Sequence, residues 1–544
     1  MESRPLNLRI ALLALAACLL FFLAGHAFVP LLGLEDDEAL FAEAIYHPRA
    51  ELYSLTIGAF QIPIMLMSYL GALKAWIYSP IFAVFGPGVR SIREPMLVAG
   101  AASIWFFFLL LRRIACDRTA LIGCSILAAD SIYLLTTVYD WGPVALQHLL
   151  LLGGVYLLVR FYQTMSSISL AGGAFLLGLV MWDKALAIWM LSGIFIAAML
   201  TFPRRVLAVT GKKSLLIFGS FFVLGALPLL VYNLDNRFAT FLGNVQRDPA
   251  GLEGKAHFLV ASAQGHGLFG WMTLEDWQTK SPHLPETSLA RTSARISEFA
   301  GQPRHNLLLY AFLLALVLAP FGGWYTVRLV LFSLIALAVA WFQMAINANT
   351  GGSIHHTVLL WPLPQFTVAV VFGAVSRRLG RAGAPMLVAA ALAMVLSGAL
   401  VINEYYTVAL RNGGGQAWTD GINNLSEYLK NVPAKNVLCM DWGMLDQLRV
   451  LHKGRIPVEM AIDQVGKPQM DDQDRAIVDK MISEPENIFL AHTKDFEFFQ
   501  GHSTKMIEYA RQSGFERDLL QVVRDNYGRE IYEVYRFRKQ VSAN

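Results

Sequence analysis

Apolar runs of about 20 residues recur between residues 10 and 406 of this 544-residue chain, and they restrict its fold more than any other feature. A helix of that length spans the hydrocarbon core of a bilayer. Charged residues make up only 15% of the chain, whereas soluble proteins average roughly 25%. The sequence therefore predicts an α-helical polytopic membrane protein. About eleven spans are expected, near residues 10–33, 94–112, 118–138, 143–161, 169–186, 189–203, 214–233, 306–323, 328–346, 357–375 and 384–406.

Short basic clusters between the apolar runs set the expected topology. Clusters such as Arg112-Arg113 and Arg377-Arg378 fall in alternate connections, and all of them share one side if the spans number eleven. Positive residues accumulate in cytoplasmic loops, so we expect a cytoplasmic N-terminus. A cleaved signal peptide is an alternative for the first run, but the run is longer than the apolar part of such peptides. The net charge is only +4, and the basic residues lie in short separate clusters. Nucleic-acid binding requires a concentrated basic face, so it is not expected.

The polar connections divide the chain into two predicted domains. Residues 1–411 form a transmembrane domain with a first external loop at 35–93 and a large external loop at 235–304. The apolar part of the first loop contains prolines and a lysine, so we expect amphipathic helices lying in the interface plane there. Residues 412–544 are polar and mix helical with strand-like patterns, which predicts an extracytoplasmic α/β domain.

The pattern of this C-terminal region is specific enough to place its elements. Apolar residues recur at helical spacing in four segments, and two short apolar segments have the composition of buried strands. A turn sequence at 525–528 separates two further strand-like segments and predicts a hairpin. The expected helices are 418–431, 443–452, 472–484 and 502–513, the strands 436–441 and 487–492, and the final pair 518–524 and 530–537.

Four consecutive acids, residues 35–38, follow the first apolar run where the chain leaves the membrane. Acids at such a boundary are costly to hold against lipid and often mark a functional site. They also favour the N-terminus of a helix, so a simple capping role for a short interfacial helix is the alternative. The two roles are compatible, because a helix start would fix the direction of a carboxylate.

Three segments together carry a family resemblance. Residues 37–43, DEALFAE, resemble the Asp-Glu-x-x-Tyr/Phe-Ala-Glu signature that follows the first span in polyprenyl-phosphate-sugar glycosyltransferases of the type-C membrane fold. That group includes the protein O-mannosyltransferases and the aminoarabinose transferases that modify lipid A. Residues 74–86 are similar to the lysine, aromatic and Phe-Gly stretch of the same loop, and 93–95 to the Arg-x-Pro that opens the second span.

The resemblance implies a glycosyltransferase that takes its sugar from a polyprenyl phosphate. Such a donor already carries a good leaving group, so the enzyme needs a base for the acceptor hydroxyl and cations for the departing phosphate. Displacement with one base inverts the anomeric centre. By position, the resemblance implies that Asp37 is the base, that Glu38 and Asp140 belong to the catalytic group, and that Lys74 and Arg93 bind the donor phosphate.

The residues themselves leave alternatives open. For Asp140 the alternative is a helix-boundary acid, because a Gly-Pro turn follows it. Lys184, at the outer end of the fifth span, is either a further phosphate ligand or the partner of Asp183. Ordinary headgroup anchoring is the alternative for all the basic residues. The expected substrate-binding residues are Glu43, His355, His356 and Arg237, with His356 favoured over His355 to face the site.

No cofactor is expected. A divalent metal at the histidine pair is an alternative, but neighbouring side chains on a helix point apart and seldom bind one metal together. The expected partners are the polyprenyl-phosphate sugar donor, a lipid, glycan or protein acceptor, and the bilayer. The expected location is a bacterial inner membrane, with the site outside.

Two other functions stay open. A transporter or flippase of lipid-linked sugars would place ionisable groups near the bilayer midplane, where Asp130 is the one clear acid inside a span. A membrane-anchored binding module would do its work in the C-terminal region.

Overall fold

The computed structural model describes residues 6–46, 52–58, 60–244, 246–248, 251–348 and 350–540. The chain is mostly helical. The helices before the large loop are α1 (Leu8–Phe28), α2 (Asp36–Glu43), α3 (Leu73–Phe85), α4 (Val89–Ile114), α5 (Asp117–Ala128), α6 (Ser131–Val138), α7 (Val144–Thr164), α8 (Ser167–Asp183), α9 (Ile188–Thr201), α10 (Pro203–Val209) and α11 (Lys212–Asp235). The next group comprises α12 (Ala239–Asn244), α13 (Leu252–Gln264), α14 (Ser288–Phe299), α15 (Leu308–Leu318), α16 (Trp324–Ala345), α17 (Ile354–Thr357), α18 (Leu363–Arg378) and α19 (Gly383–Asn412).

The C-terminal region adds α20 (Gly421–Leu429), α21 (Leu445–Leu451), α22 (Asp472–Ser483) and α23 (His502–Gln512). The strands are β1 (Tyr53–Ile57), β2 (Phe60–Met67), β3 (Leu70–Gly71), β4 (Val437–Cys439), β5 (Val458–Met460), β6 (Ile488–His492), β7 (Phe515–Arg524) and β8 (Glu530–Lys539).

The apolar helices agree with a multi-pass membrane protein, but the predicted count of eleven spans is not confirmed. Within the described residues, seven helices are long and apolar enough to cross a bilayer, or up to nine if each bent pair is one span. One such pair is α5 and α6, which meet at 59°. Asp130 causes this break, because its Oδ1 accepts the Tyr133 N–H at 2.8 Å and starts a new helix. The remaining expected spans, α8 and α15, are shorter apolar helices.

Small residues allow the spanning helices to approach closely. A Cβ on Gly178 of α8 would lie 2.2 Å from the Phe222 carbonyl oxygen of α11, and one on Gly225 would lie 2.3 Å from the Phe175 carbonyl oxygen. Glycine at both positions is therefore required for this crossing, as is usual where helices pack without a hydrophobic driving force. A continuous apolar core, which includes Phe21 of α1, joins helices α1, α4 to α9, α11, α15, α16, α18 and α19.

The first external loop contains helices and also a small sheet, which the sequence interpretation missed. Helices α2 and α3 are present, and strands β1, β2 and β3 form an antiparallel sheet in the order β1-β2-β3. Ile57 pairs with Phe60 across a tight turn in which Gly58 has a φ of +62°. Glycine adopts that backbone conformation easily and other residues rarely do, so glycine at position 58 favours this turn.

The C-terminal region contains a five-stranded sheet in the order β5-β4-β6-β8-β7. Strand β4 runs parallel to β5 and β6, whereas β8 runs antiparallel to β6 and β7. The four predicted helices, the two predicted strands and the final hairpin are present, and β5 was missed. The division of the chain into domains at 411/412 stays a prediction, and its terminal residues 1–5 and 541–544 lie outside the described residues.

Candidate active site

One cavity lies where the first loop meets the ends of several helices. Helix α2 and the β2–β3 turn form one wall, and the α6–α7 connection, the end of α8 and the start of α17 form the others. Its empty volume is about 350 Å³. The lining residues are Asp37, Leu40, Phe41, Met67, Tyr69, Leu70, Trp141, Gly142, Lys184, His355 and His356.

Helix α2 presents Asp37 to this cavity. A capping box begins the helix, because Glu38 N–H donates to Glu35 Oε2 at 3.0 Å and Glu35 N–H donates to Glu38 Oε2 at 3.4 Å. The Asp37 side chain is half-buried. Burial raises the pKa of its carboxyl to about 6, although Lys184 and Lys74 oppose the rise. A carboxylate with a pKa close to neutral is suited to accept a proton.

Glu38 and Arg93 lie behind Asp37 and form a closed ion pair. Arg93 Nε donates to Glu38 Oε1 at 2.6 Å, and Nη2 donates to Oε2 at 2.8 Å. The other N–H groups donate to the carbonyls of Val29, Leu32 and Gly33 at 2.7, 3.0 and 2.7 Å. All five donors of the buried guanidinium are therefore satisfied. In this geometry Arg93 ties the end of α1 to α2 and does not line the cavity where a donor phosphate was expected to reach it.

Lys74 forms a second buried ion pair, with Asp140. Its Nζ lies 3.0 Å from Asp140 Oδ2 and 3.1 Å from the Asp140 carbonyl oxygen, and both side chains are almost fully buried. Asp140 Oδ1 accepts the N–H groups of Val144 and Ala145 at 2.8 and 3.2 Å, which starts α7. The ammonium also lies 3.9 Å from the Phe41 ring centroid. Lys74 thus contacts α2 through the Phe41 ring, and its ammonium is paired with the Asp140 carboxylate.

Lys184 differs from these cations. It follows the last residue of α8, is buried, and lines the cavity. Among the described residues, its ammonium makes no hydrogen bond or ion pair within 4.0 Å. A Cβ on Gly142 would lie 3.2 Å from its Nζ, so a larger residue at position 142 would crowd the ammonium. The neighbouring Asp183 is fully buried, and no described residue donates a hydrogen bond to either carboxylate oxygen. The alternative of an Asp183–Lys184 ion pair is therefore not formed.

The histidine pair lies across the cavity from α2. Trp141 Nε1 donates to His355 Nδ1 at 2.6 Å, which requires the unprotonated form of that nitrogen and leaves the ring proton on Nε2. His356 Nδ1 is buried, and no described residue forms a hydrogen bond with it. Both rings line the cavity, so His356 is not favoured over His355. Within the ranges that the structure describes, no group of three or more His, Cys, Asp or Glu residues is arranged to hold a metal.

Two expected substrate ligands lie elsewhere. Glu43 is buried at the end of α2, where its Oε2 accepts Arg449 Nη1 at 2.9 Å. Arg237 is exposed in the turn after α11 and has a φ of +51°. Neither residue lines the cavity. Glu43 therefore contacts the C-terminal region, and Arg237 does not lie with the candidate residues that line the cavity.

The sequence interpretation missed several aromatic residues of the site. Tyr69, in the turn after β2, faces Asp37 closely enough for the carboxylate to contribute to a raised pKa of the phenol, which burial mainly causes. Trp141 packs against Trp271 and Trp418, with ring centroids 5.6 and 5.0 Å away. Trp141 directly follows Asp140, so the motif that identified the aspartate already contained it. The contacts with Trp271 and Trp418 join distant parts of the chain, and no local sequence pattern predicts them.

Comparisons with known proteins agree with this architecture. Residues 71–232 match the family model described as dolichyl-phosphate-mannose-protein mannosyltransferase. The fold is similar to that of ArnT from Cupriavidus metallidurans bound to undecaprenyl phosphate, with a TM-score of 0.56, 12% identity, and coverage of 96% of this chain and 97% of that one.

A second structural match is AglB, the archaeal oligosaccharyltransferase from Archaeoglobus fulgidus, in complex with an inhibitory peptide and a dolichol-phosphate. Its TM-score is 0.50 at 11% identity, and the match covers 88% of this chain and 69% of that one. No curated protein matches the chain by sequence. The family model and the shared fold confirm the resemblance that the first-loop motifs predicted.

Proposed function

We propose that this chain, which resembles the polyprenyl-phosphate-sugar glycosyltransferases in fold and matches their family model over residues 71–232, is itself a membrane glycosyltransferase with a lipid-phosphate sugar donor. The observation that supports the assignment most directly is the composition of the cavity. One half-buried carboxylate, Asp37, lines the same space as Lys184, a buried cation that has no carboxylate partner among the described residues.

Those two groups match the two requirements of the reaction. Asp37 accepts the proton of the acceptor hydroxyl, whose oxygen attacks the anomeric carbon of the sugar. The bond from that carbon to the phosphate oxygen breaks, and the polyprenyl phosphate leaves with the electron pair. Lys184 stabilises the negative charge that develops on the phosphate. Attack opposite to the leaving group inverts the anomeric centre.

The remaining predicted groups then support helix α2 on the side away from the cavity, and so hold Asp37 in position. Glu38 and Arg93 fix the entry of α2, while Asp140 and Lys74 fix its back surface through Phe41. The phosphate roles predicted for Lys74 and Arg93 would require both to leave their carboxylates. The histidine pair is proposed to contact the sugar or the phosphate, because His355 keeps a donor on Nε2.

Orientation in the membrane is part of the proposal. The basic clusters favour a cytoplasmic N-terminus, which puts the cavity and the C-terminal region on the outer face of a bacterial inner membrane. The donor would enter laterally from the bilayer, and a glycan, lipid or protein acceptor would enter from outside. Fold neighbours crystallised or imaged with undecaprenyl phosphate and dolichol-phosphate fit such a donor.

The contacts of Asp130, the acid that the sequence places clearly inside a span, do not favour the transporter alternative. Asp130 Oδ2 accepts Trp361 Nε1 at 3.0 Å and Gln365 Nε2 at 2.9 Å, and its Oδ1 starts α6. A fully engaged carboxylate at a helix break serves the fold. It does not form an ion or substrate path across the membrane.

The test uses cells that lack the protein, because the donor sugar need not be known beforehand. Mass spectrometry should show a polyprenyl-phosphate sugar that accumulates on deletion and disappears when the wild-type protein is restored. Asp37→Asn should restore nothing, whereas the control Glu253→Gln, an exposed acid on α13, should restore fully. The purified variants should then be compared with the accumulated lipid as donor.

The proposal of Asp37 as base is wrong if folded Asp37→Asn transfers sugar at the wild-type rate. The proposal of a glycosyltransferase is wrong if deletion changes no lipid-linked sugar and the purified protein transfers none of them.

A further inference from the structure

Helix α2 is held from the side of the C-terminal region as well as from the membrane helices. Asp36 Oδ1 accepts the Asp446 N–H of α21 at 3.3 Å, and Glu43 accepts Arg449 Nη1 of the same helix at 2.9 Å. Seven residues make nearly two helical turns, so Asp36 and Glu43 lie on one face of α2. Asp37 is about 100° away from that face. Both ends of the helix are thus attached to α21, and the catalytic face stays free.

Apolar contacts extend the same attachment. Val450 of α21 belongs to the buried cluster that contains Ala39 and Phe41 of α2. After α21, Gly454 approaches the Tyr46 backbone so closely that a Cβ would lie 3.0 Å from the Tyr46 carbonyl oxygen. The segment 444–454 therefore packs along the whole length of α2.

Charge makes Arg449 the decisive member of this contact. Asp36, Glu43 and Asp446 bring three buried carboxyl groups together, and Arg449 is the guanidinium that lies among them. Arg449 Nη2 also donates to the Val458 carbonyl of β5 at 3.3 Å, which anchors the side chain in the sheet. Burial raises the pKa of Asp36 to about 8, and the nearby carboxylates add to the rise. Without the guanidinium, these acids would be buried without a counter-charge.

An eight-residue helix does not hold its own direction in isolation. We propose that Arg449 is a positioning residue for the transfer reaction, which acts through Glu43 and helix α2 to hold Asp37 at the cavity. The C-terminal region is on this account a structural part of the active site, in addition to any acceptor binding. The inference rests on the proposed function, since it assigns Asp37 a reaction to perform.

The kinetic test separates positioning from acceptor binding. Arg449→Met should lower kcat about 10- to 100-fold, because displacement of a reacting group by about 1 Å costs on that order, and the KM for the donor should change less than about threefold. Arg449→Lys should recover part of the rate. Glu43→Gln combined with Arg449→Met should lose no more than Arg449→Met alone, because both changes remove one contact.

The matched control is Arg475→Met, which removes an exposed arginine that pairs with Asp472 inside α22. It should keep the wild-type rate. An Arg449→Met enzyme with unchanged kcat and a raised KM for the acceptor would overturn the inference and leave an acceptor-binding role.

A second measurement does not depend on activity. Leu40 lines the cavity on α2, so Leu40→Cys reports on the helix through its rate of labelling by a water-soluble thiol reagent. The protein without that cysteine gives the background of the four native cysteines. Adding Arg449→Met should raise the labelling rate about 10-fold, and adding Arg475→Met should not. An unchanged labelling rate would overturn the inference even if transfer is observed, whereas an inactive wild type with the expected labelling would overturn the proposed function alone.

Discussion

Removing the charge of Lys74 separates a supporting role from phosphate binding. Its ammonium and Asp140 Oδ2 are 3.0 Å apart, and the side chains are 0% and 2% exposed. Lys74→Met therefore leaves a buried carboxylate without its counter-charge, which costs roughly 3–5 kcal/mol of stability in comparable buried pairs. The contact with the Phe41 ring is lost as well, and such contacts contribute about 0.5–2 kcal/mol.

The double variant Lys74→Met/Asp140→Asn tests that magnitude. It removes both charges, and the side-chain oxygen of the introduced amide can still accept the Val144 and Ala145 N–H groups that Asp140 Oδ1 now accepts. Because replacing both members of a buried pair is often nearly neutral, we expect the double variant to recover more than half of the lost stability. The assay is thermal unfolding of the purified protein in detergent, followed by its tryptophan fluorescence.

Donor kinetics provide the contrasting readout. If Lys74 supports α2, Lys74→Met lowers the apparent Tm by several degrees and lowers kcat, while the KM for the donor changes little. The opposite result would refute the reasoning: an unchanged Tm with a donor KM raised 10-fold or more would show that Lys74 holds the phosphate, as the family resemblance implied.

Two further outcomes are expected of the cavity groups. Because Asp37 must be ionised to act as base and its pKa is raised to about 6, kcat/KM should fall as the pH drops through about 6; a profile that stays flat well below that pH would exclude Asp37 as the base. Lys184→Gln should raise the donor KM about 10- to 100-fold with an unchanged Tm, because a charge-assisted hydrogen bond contributes about 1.5–3 kcal/mol; an unchanged KM would move the phosphate elsewhere.

The sequence predicted those parts of the site that are encoded by neighbouring residues. Asp37 was identifiable because the four acids and the motif at residues 37–43 directly follow the first apolar run. The partners of the basic residues were not identifiable, because Lys74 and Asp140 are 66 positions apart, and Glu43 and Arg449 are 406 positions apart. A single sequence indicates which groups are costly to bury, but it does not indicate which groups neutralise each other.

The same distinction explains the errors in the fold. The C-terminal helices were found because their apolar residues repeat with a clear period. Strand β2 reads FQIPIMLM, a nearly continuous apolar run that shows neither alternation nor a helical period. Strand β5 has only three residues, too few for any pattern. Its position is fixed by parallel pairing of Val458 with Val437, which is a tertiary contact.

Ion pairing separates the charged residues around helix α2 into two groups with different roles. The cations Lys74, Arg93 and Arg449 each face a buried carboxylate, and each pair touches helix α2 directly or through Phe41. Buried ion pairs of this kind fix geometry, and the charge of each cation is compensated within the protein. Asp37 and Lys184 carry no such partner in the described part of the chain, and both line the cavity. The proposed reaction needs one proton acceptor and one cation for the phosphate, and among the described residues that line the cavity Asp37 and Lys184 are suited to these two roles.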